Sequence, residues 1–286
     1  VYKGLCPFHD ERTPSFTVFP DSGNWRCFGA CATGGDAFDF VMRIENLDFR
    51  RALEQLARRV GVVLEAPSAA AAARQEAQDR LREACSAALD LYHRLLLRSA
   101  EAEGARDYLK GRGFDSAAAQ AFQLGFAPAD GRTLCKQLRA AGFSEQELED
   151  AGLARRRDDG SGIYDLFRGR LMIPIHDAAG RVIGFGARTL EPGGIPKYLN
   201  SPQSPLFDKS QTLFGLHRAA REMRSSGVAV VVEGYTDVIR AHRAGFGNVV
   251  ASLGTAITEA QVKLLAGYAQ QVVLGLDADA AGQAAT

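Results

Sequence analysis

No uninterrupted apolar run of about 18 residues occurs, which excludes an ordinary membrane-spanning helix, and no membrane partner is expected. The opening residues, VYKGLCPFHD, lack the basic-then-apolar pattern of a signal peptide. They also lack an initiator Met, so the chain is expected to begin inside a longer protein. Net charge is absent too: 34 Lys and Arg stand against 34 Asp and Glu. Nucleic-acid binding, if present, must come from local basic patches. Cysteine is scarce, five residues at uneven spacing, which excludes a secreted disulfide framework. A reducing, cytoplasmic setting with thiols free for metal is the expectation. No internal repeat is visible. What remains is 286 residues, 46% hydrophobic and 24% charged, enough for two or three globular domains.

Composition divides the chain. Residues 1–64 carry clustered Cys, aromatics and Gly. Residues 65–80, EAPSAAAAARQEAQDR, read as a linker running into a helix, because Leu81, Cys85, Leu89, Tyr92 and Leu96 recur at helical spacing. Residues 81–222 are mixed. In residues 223–286 the apolar runs VAVVVE, NVVASLG and QVVLGLD alternate with helical stretches, the pattern of a parallel sheet faced by helices.

The stretch CPFHDERTPSF pairs Cys6 with His9, and WRCFGAC supplies Cys27 and Cys31. Between them SFTVF and NWRCF are β-prone, separated by the turn signal Pro20-Asp21-Ser22-Gly23. Such a hairpin brings both pairs to one end. Thiolate and imidazole suit tetrahedral Zn²⁺, and four protein ligands with no open position make a structural site. Cys85 and Cys135 have no such neighbours and are expected to be buried thiols. A helix capped by Asp48 and ended near Gly61 carries the stripe Phe49, Ala52, Leu53, Leu56, Ala57 and Val60, expected as core.

In VAVVVEGYTDVI a strand stops at Glu233, turns at Gly234 and enters a helix bearing Asp237; in QVVLGLDADAAG another stops at Asp277, with Asp279 two residues on. Ligands of open parallel sheets bind beyond the carboxyl ends of the strands, where these acids fall. Clustered carboxylates need a cation between them, and Mg²⁺ suits oxygen ligands shared with water and phosphate. Asp237 reads equally well as a helix cap. Thr258 and Gln261 make a capping-box pattern.

FRGRLMIPIHDAAGRVIGFGARTL reads as two strands around the Asp177–Gly180 turn, with Gly184 and Gly186 suggesting close approach of another backbone. Arg168, Arg170, Arg181, Arg188 and Lys197 outnumber nearby Asp165, Asp177 and Glu191, and Lys197, Asn200 and Lys209 follow in PKYLNSPQSPLFDK. A basic groove opposite an acidic crevice suits polynucleotide and triphosphate together. The single His93, His176, His217 and His242 are expected to be structural or exposed.

YKGLCPFHDERTPSFTV followed by WRCFGACATGGDAFDFVM resembles the zinc-binding domain of bacterial DnaG-type DNA primases. Ala30 departs from that family's Cys-Phe-Gly-Cys by lengthening the knuckle to Cys-x-x-x-Cys. Glu-Gly-Tyr-x-Asp, Ser-Leu-Gly-Thr and Asp-x-Asp-x-x-Gly resemble the Toprim fold as primases use it, and YLKGRGF and the basic stretches resemble the primase polymerase core. Leu166-Phe167-Arg168 stands where the family commonly has Arg-Phe-Arg, so one basic contact is absent or replaced.

The resemblance implies an α+β multidomain chain. Residues 1–64 would be a zinc-ribbon β domain, 65–80 a linker, 81–222 a mixed α/β polymerase subdomain, and 223–286 a Toprim-type parallel α/β sheet cut short before the family's last acidic motif. It implies synthesis of RNA primers from NTPs on single-stranded DNA, with one structural Zn²⁺ and catalytic Mg²⁺, Mn²⁺ being the alternative. Asp237, Asp277 and Asp279 would hold Mg²⁺, and Glu233 would be a further ligand or a general acid/base. Arg112, Arg168, Arg170, Arg188, Lys197, Asn200 and Lys209 would line the template and nucleotide path. Lys3, Trp25, Arg26 and Phe28 would read template bases. A replicative helicase would dock through a separate C-terminal domain. The rivals are a Toprim nuclease or topoisomerase with a zinc ribbon, although no tyrosine nucleophile domain or nuclease acid pattern is evident, and a module that only binds DNA.

Overall fold

Alternating side chains and a glycine turn shape the first of two units. The computed structural model describes residues 1–64, 68–254 and 256–276, and divides into Val1–Ala71 and Ala72–Thr286. In the first unit β1 (Tyr2–Gly4), β2 (Phe16–Phe19), β3 (Asn24–Cys27) and β4 (Gly34–Asp36) form an antiparallel sheet in chain order. The expected hairpin is β2–β3, closed by a 3-10 turn at Pro20–Ser22 and by Gly23 at φ 64°, a left-handed value that glycine adopts without steric cost. The period of two puts Phe16, Val18, Trp25 and Cys27 on one face, where Phe8 and Phe40 complete a small aromatic core. Helix α1 (Ala37–Ile44) starts from a capping box of Asp36 and Asp39. Helix α2 (Phe49–Val60) is capped by Asp48 and ended by left-handed Gly61. Its apolar stripe is core only in the middle: Ala52 and Ala57 are buried, whereas Phe49 and Val60 at the two ends are 55% and 71% exposed.

Helix α3 (Ala69–Arg98), all but its first three residues in the second unit, already occupies residues 69–80 of the Ala-rich stretch, and Leu81, Cys85, Leu89, Tyr92 and Leu96 are its buried stripe. Helices α4 (Glu103–Gly111) and α5 (Ser116–Ala121) lead to β5 (Gly125–Ala127), and α6 (Thr133–Ala140) and α7 (Glu145–Asp150) to the ribbon β6 (Ala154–Arg156) and β7 (Ile163–Asp165). Buried Asp165 accepts from the backbone N–H groups of Leu134 and Cys135 at 2.8 and 2.9 Å, so this acid holds the start of α6 and is not a surface charge.

The hairpin around the Asp177–Gly180 turn is β8 (Arg170–His176) and β9 (Val182–Thr189), and β10 (Tyr198–Asn200) extends it to a sheet ordered β10-β9-β8-β5. One face, with Leu171, Ile173, Ile175 and Ile183, packs on the last part of the chain; the other, with Met172, Phe185 and Ala187, packs on α3. Gly184 and Gly186 do permit close approach, but by side chains rather than backbone. A Cβ on Gly184 would meet Ser201 Oγ at 3.1 Å, and one on Gly186 would collide with the Tyr235 ring.

The last part comprises β11 (Leu213–Phe214), α8 (Leu216–Ser226), β12 (Val228–Val232), α9 (Tyr235–Arg243), β13 (Val249–Ser252), α10 (Glu259–Ala266) and β14 (Gln271–Gly275). The sheet order is β11-β13-β12-β14, with β12 parallel to both β13 and β14, as the alternating apolar runs indicate. Antiparallel β11 at its edge is only two residues long, too short to leave a period in the sequence. Thr258 and Gln261 form the expected capping box of α10.

Candidate functional site

The β2–β3 hairpin draws the two ligand pairs together. One ligand atom from each of Cys6, His9, Cys27 and Cys31 lies within 4.8 Å of all the others. Cys6 Sγ and Cys31 Sγ are 3.6 Å apart, and Cys27 Sγ lies 3.9 Å from His9 Nδ1. Tetrahedral zinc with Zn–S bonds of ~2.3 Å has S–S edges of about 3.8 Å, so this donor set fits the ion. Ala30, the extra knuckle residue, is exposed, and Cys31 still returns to face Cys6.

The other nitrogen of His9, Nε2, faces the Glu11 carboxylate at 3.1 Å. Glu11 also accepts from the backbone N–H of Cys6 at 2.8 Å and of Ser15 at 3.0 Å. A carboxylate behind a ligating imidazole fixes its tautomer and orientation. Sequence reasoning passed over Glu11; its signal was an acid two residues after the His.

Burial pushes the Cys6 thiol up to about 11. Burial opposes ionisation of Cys27 as well, but the Ser15 hydroxyl and the Gly29 N–H hold that thiol down at about 6. A bound cation would draw all three sulfurs into thiolates. Cys85 lies elsewhere, pushed up to about 12 by burial, and Cys135 is raised by burial too, as expected of inert core thiols.

Trp25 does not face solvent. It is 5% exposed, stacks on Phe16 at 5.1 Å and donates its indole N–H to the Asp36 carbonyl at 2.8 Å. The expectation that it reads bases is corrected: the strand period turns it into the core. Lys3 and Arg26 lie on the opposite face, each across from Thr17, and the Arg26 guanidinium sits 5.6 Å from the ring of Phe28, which is 64% exposed.

In the second unit Glu233, half-buried, follows the carboxyl end of β12. The N-cap of α9 is Gly234, not Asp237; a Cβ on Gly234 would lie 2.9 Å from Asp237 Oδ2, so the carboxylate folds back over the first turn. A negative charge there is favoured by the helix dipole. Asp277 and Asp279 lie outside the described residues. Val232 on β12 pairs with Gly275 on β14, so the strands leading to Glu233 and to Asp277 end at one level.

The basic residues divide. Arg112 and Arg188 converge on the Tyr108 ring, at 5.4 and 3.9 Å. Arg168 stacks on Tyr164 at 5.1 Å, and Arg170 donates to the Pro196 carbonyl at 2.9 Å. Burial, with the Arg168 charge beside it, lowers the Arg170 pKa. Arg170 pairs with Thr189, one position off Arg188, so the pleat sends them to opposite faces of the sheet. Lys197 and Lys209 are exposed. Asn200 is committed internally, donating to the Leu253 carbonyl at 2.9 Å and accepting from the Tyr235 hydroxyl at 2.7 Å. Gly186 opposite Asn200, and Arg188 opposite Tyr198, share the face that meets Tyr235. The Arg188 end of this otherwise apolar face therefore borders the turn that carries Glu233.

Comparison with known proteins decides the family. Three family models match in succession: the CHC2 zinc finger over residues 1–72, the DNA primase catalytic core N-terminal domain over 92–220, and the Toprim domain over 227–286. The chain belongs to the DnaG-type DNA primase family. A DNA primase of Synechococcus elongatus is 45% identical over 98% of the chain, which spans 41% of that relative's length. The crystal structure of the zinc-binding and RNA polymerase domains of Aquifex aeolicus primase is 37% identical, with a TM-score of 0.67, over 99% of the chain and 67% of that structure. The RNA polymerase domain of Mycobacterium tuberculosis primase, crystallised with a double-stranded DNA oligomer bearing a 6-nucleotide overhang, is 41% identical with a TM-score of 0.68, over 72% of the chain and 66% of that structure. The zinc-finger match and the Cys/His cluster together support Zn²⁺ in this primase family member. No helix among the described residues is long and apolar enough to cross a membrane.

Proposed function

We propose that the chain is the template-binding and polymerising part of a DNA primase, a DNA-directed RNA polymerase that lays short RNA primers on single-stranded DNA in the cytoplasm. The observation that carries this reading is the docking of the Gly186–Arg188 face and Asn200 against Tyr235, two residues beyond Glu233. It supports a shared groove in which basic side chains hold phosphates beside the acidic strand ends.

Zn²⁺ is held by Cys6, His9, Cys27 and Cys31, and its role is to fold a unit whose apolar core is small. Lys3, Arg26 and Phe28 contact template, Phe28 by stacking on bases and the two cations through phosphates. Arg112, Arg168, Arg188, Lys197 and Lys209 contact template or triphosphate; Arg170 serves from the other face, and Asn200 serves by fixing Tyr235.

The primer 3′-hydroxyl attacks the α-phosphorus of the incoming NTP. A new P–O bond forms as the bond to the α–β bridging oxygen breaks, and pyrophosphate leaves. Glu233, Asp277 and Asp279, with Asp237 close by, would hold Mg²⁺ or Mn²⁺, which when bound supplies positive charge for the attacking and leaving oxygens. Glu233 either ligates that cation or takes the hydroxyl proton. A replicative helicase is the expected partner of the longer protein.

Incubation with single-stranded template, NTPs and Mg²⁺ tests the reading. RNA complementary to the template supports it; cleaved template marks a nuclease, and retention without products marks a binding module.

A further inference from the structure

Arg112 and Arg188 approach one aromatic ring from two elements. Tyr108 lies on α4, and its ring centroid is 3.9 Å from the Arg188 guanidinium carbon and 5.4 Å from that of Arg112. All three side chains are half-buried. Among the described residues no carboxylate forms an ion pair with either guanidinium. Two like charges on one ring repel, and partial burial strengthens that repulsion, unless an anion joins them. Two enclosed polar atoms here also lack a hydrogen-bond partner: Arg188 Nε and the Tyr108 hydroxyl. Buried donors almost always have an acceptor, so a pair without one in a cationic cluster marks a place where the acceptor arrives with a ligand. Tyr198, across the strand from Arg188, adds a further phenol to the cluster.

Resting on the primase reading, we propose that Tyr108 is a positioning residue whose ring presents Arg112 and Arg188 as a pair to a single phosphate group. Stacking leaves the edge of each guanidinium free to donate while its plane is fixed, which suits the fork geometry of phosphate contacts. Arg188 already commits one Nη to the Thr189 carbonyl at 2.7 Å, which fixes the remaining edge further. The phosphate belongs either to the DNA backbone or to the triphosphate of a nucleotide; the chemistry is the same.

The test uses the 286-residue chain and two probes, a labelled single-stranded oligothymidylate and labelled Mg–GTP. Tyr108→Leu, which removes the platform, is expected to weaken at least one probe by about tenfold, the loss typical of one displaced charge-assisted contact. Tyr108→Phe, which keeps the ring and removes only the hydroxyl, is expected to lose about threefold, distinctly less than Tyr108→Leu. Loss in the DNA arm alone assigns the phosphate to template, loss in the nucleotide arm alone to triphosphate, and loss in both to a subsite used by either. Arg188→Met supplies a cycle: because Tyr108 acts through Arg188 and Arg112 together, the double variant is expected to lose less than the product of the two single losses, whereas independent roles give that full product. Multiplied losses, or Tyr108→Phe as weak as a leucine variant, overturn the proposal. If Tyr108→Leu does not fold, the cycle is run with Tyr108→His, and wild-type affinity in that variant overturns the proposal equally. Wild-type protein that binds neither probe contradicts the primase reading as well as this one, while binding that ignores Tyr108 contradicts this one alone.

Discussion

The Tyr235 hydroxyl donates to Asn200 Oδ1 at 2.7 Å, while Asn200 Nδ2 donates to the Leu253 carbonyl at 2.9 Å. One amide thus ties β10 to the first turn of α9 and to the segment after β13, on either side of the strand end that carries Glu233. Asn200→Ala leaves two buried groups without a partner and is expected to lower unfolding free energy by about 2 kcal/mol. Asn200→Asp keeps the acceptor for Tyr235 but replaces the donor with a carboxylate oxygen facing the Leu253 carbonyl, so it is also expected to destabilise. Urea unfolding of both variants measures the difference, and an Asn200→Ala midpoint equal to wild type removes the residue from this joint.

Gly186 tests the same joint from the sheet side. A methyl there meets the Tyr235 ring inside van der Waals contact, so Gly186→Ala must displace a buried phenol or the strand. A cost of about 1–3 kcal/mol is expected, as for other overpacked sites. Replacing Tyr235 by Phe at the same time recovers little, because the ring itself is the obstacle. Thermal melts of the single and double variants check this.

Glu11 is the sharpest prediction at the metal cluster. Glu11→Gln retains size and removes the charge behind His9, and zinc affinity should fall by about 10–100-fold. Cys31→Ser should cost more, as a ligand and not a supporter. Competition with a chromophoric chelator ranks them; full zinc affinity in Cys31→Ser means the fourth ligand is another residue.

These tests mark where sequence pattern ends. The ligand pairs, the hairpin, the caps Asp48 and Thr258 and the parallel sheet were all legible, because spacing and period are local. Trp25 was misplaced because an aromatic beside a ligand Cys looks the same whether the pleat turns it in or out. Phe49 and Val60 fit a helical stripe, yet the ends of a short helix outrun the core that buries its middle. The partners of Gly186 and Asn200 lie 35 to 53 residues away in the chain, and no local pattern carries such a contact. The division of Arg170 from Arg188 needed only the strand register, which charge counting ignores.

The His176 and His217 rings lie 4.5 Å apart, tilted by 41°, and burial lowers both to about 4, helped by the Arg218 charge and, for His217, by His176 itself; Asp177 opposes the shift in both. Both rings are therefore neutral in the folded state where the unfolded chain, with an ordinary value of 6.5, would begin to protonate. Their contribution to stability is complete above about pH 6.5 and is lost as pH falls toward 4. The melting temperature should decline across that window, and less steeply in a His176→Leu, His217→Leu double variant. Parallel curves for the two proteins would contradict the assignment.

Lys197 and Lys209 carry the electrostatic part of the account. Each Lys→Ala substitution should reduce the slope of log K against log salt for single-stranded DNA by roughly 0.7. An unchanged slope in both returns them to solvated surface.

Iron-directed backbone cleavage tests the central claim most directly: that the acidic strand ends and the Arg188 end of the β8–β10 sheet line one site. Fe²⁺ exchanged for Mg²⁺, with ascorbate and peroxide, cuts the chain wherever it is bound. Cuts are predicted beside Glu233 and also within residues 186–200, suppressed by excess Mg²⁺ and lost in Asp277→Asn. Cuts beside Glu233 that spare residues 186–200, or no Mg²⁺-sensitive cleavage at all, would contradict the account.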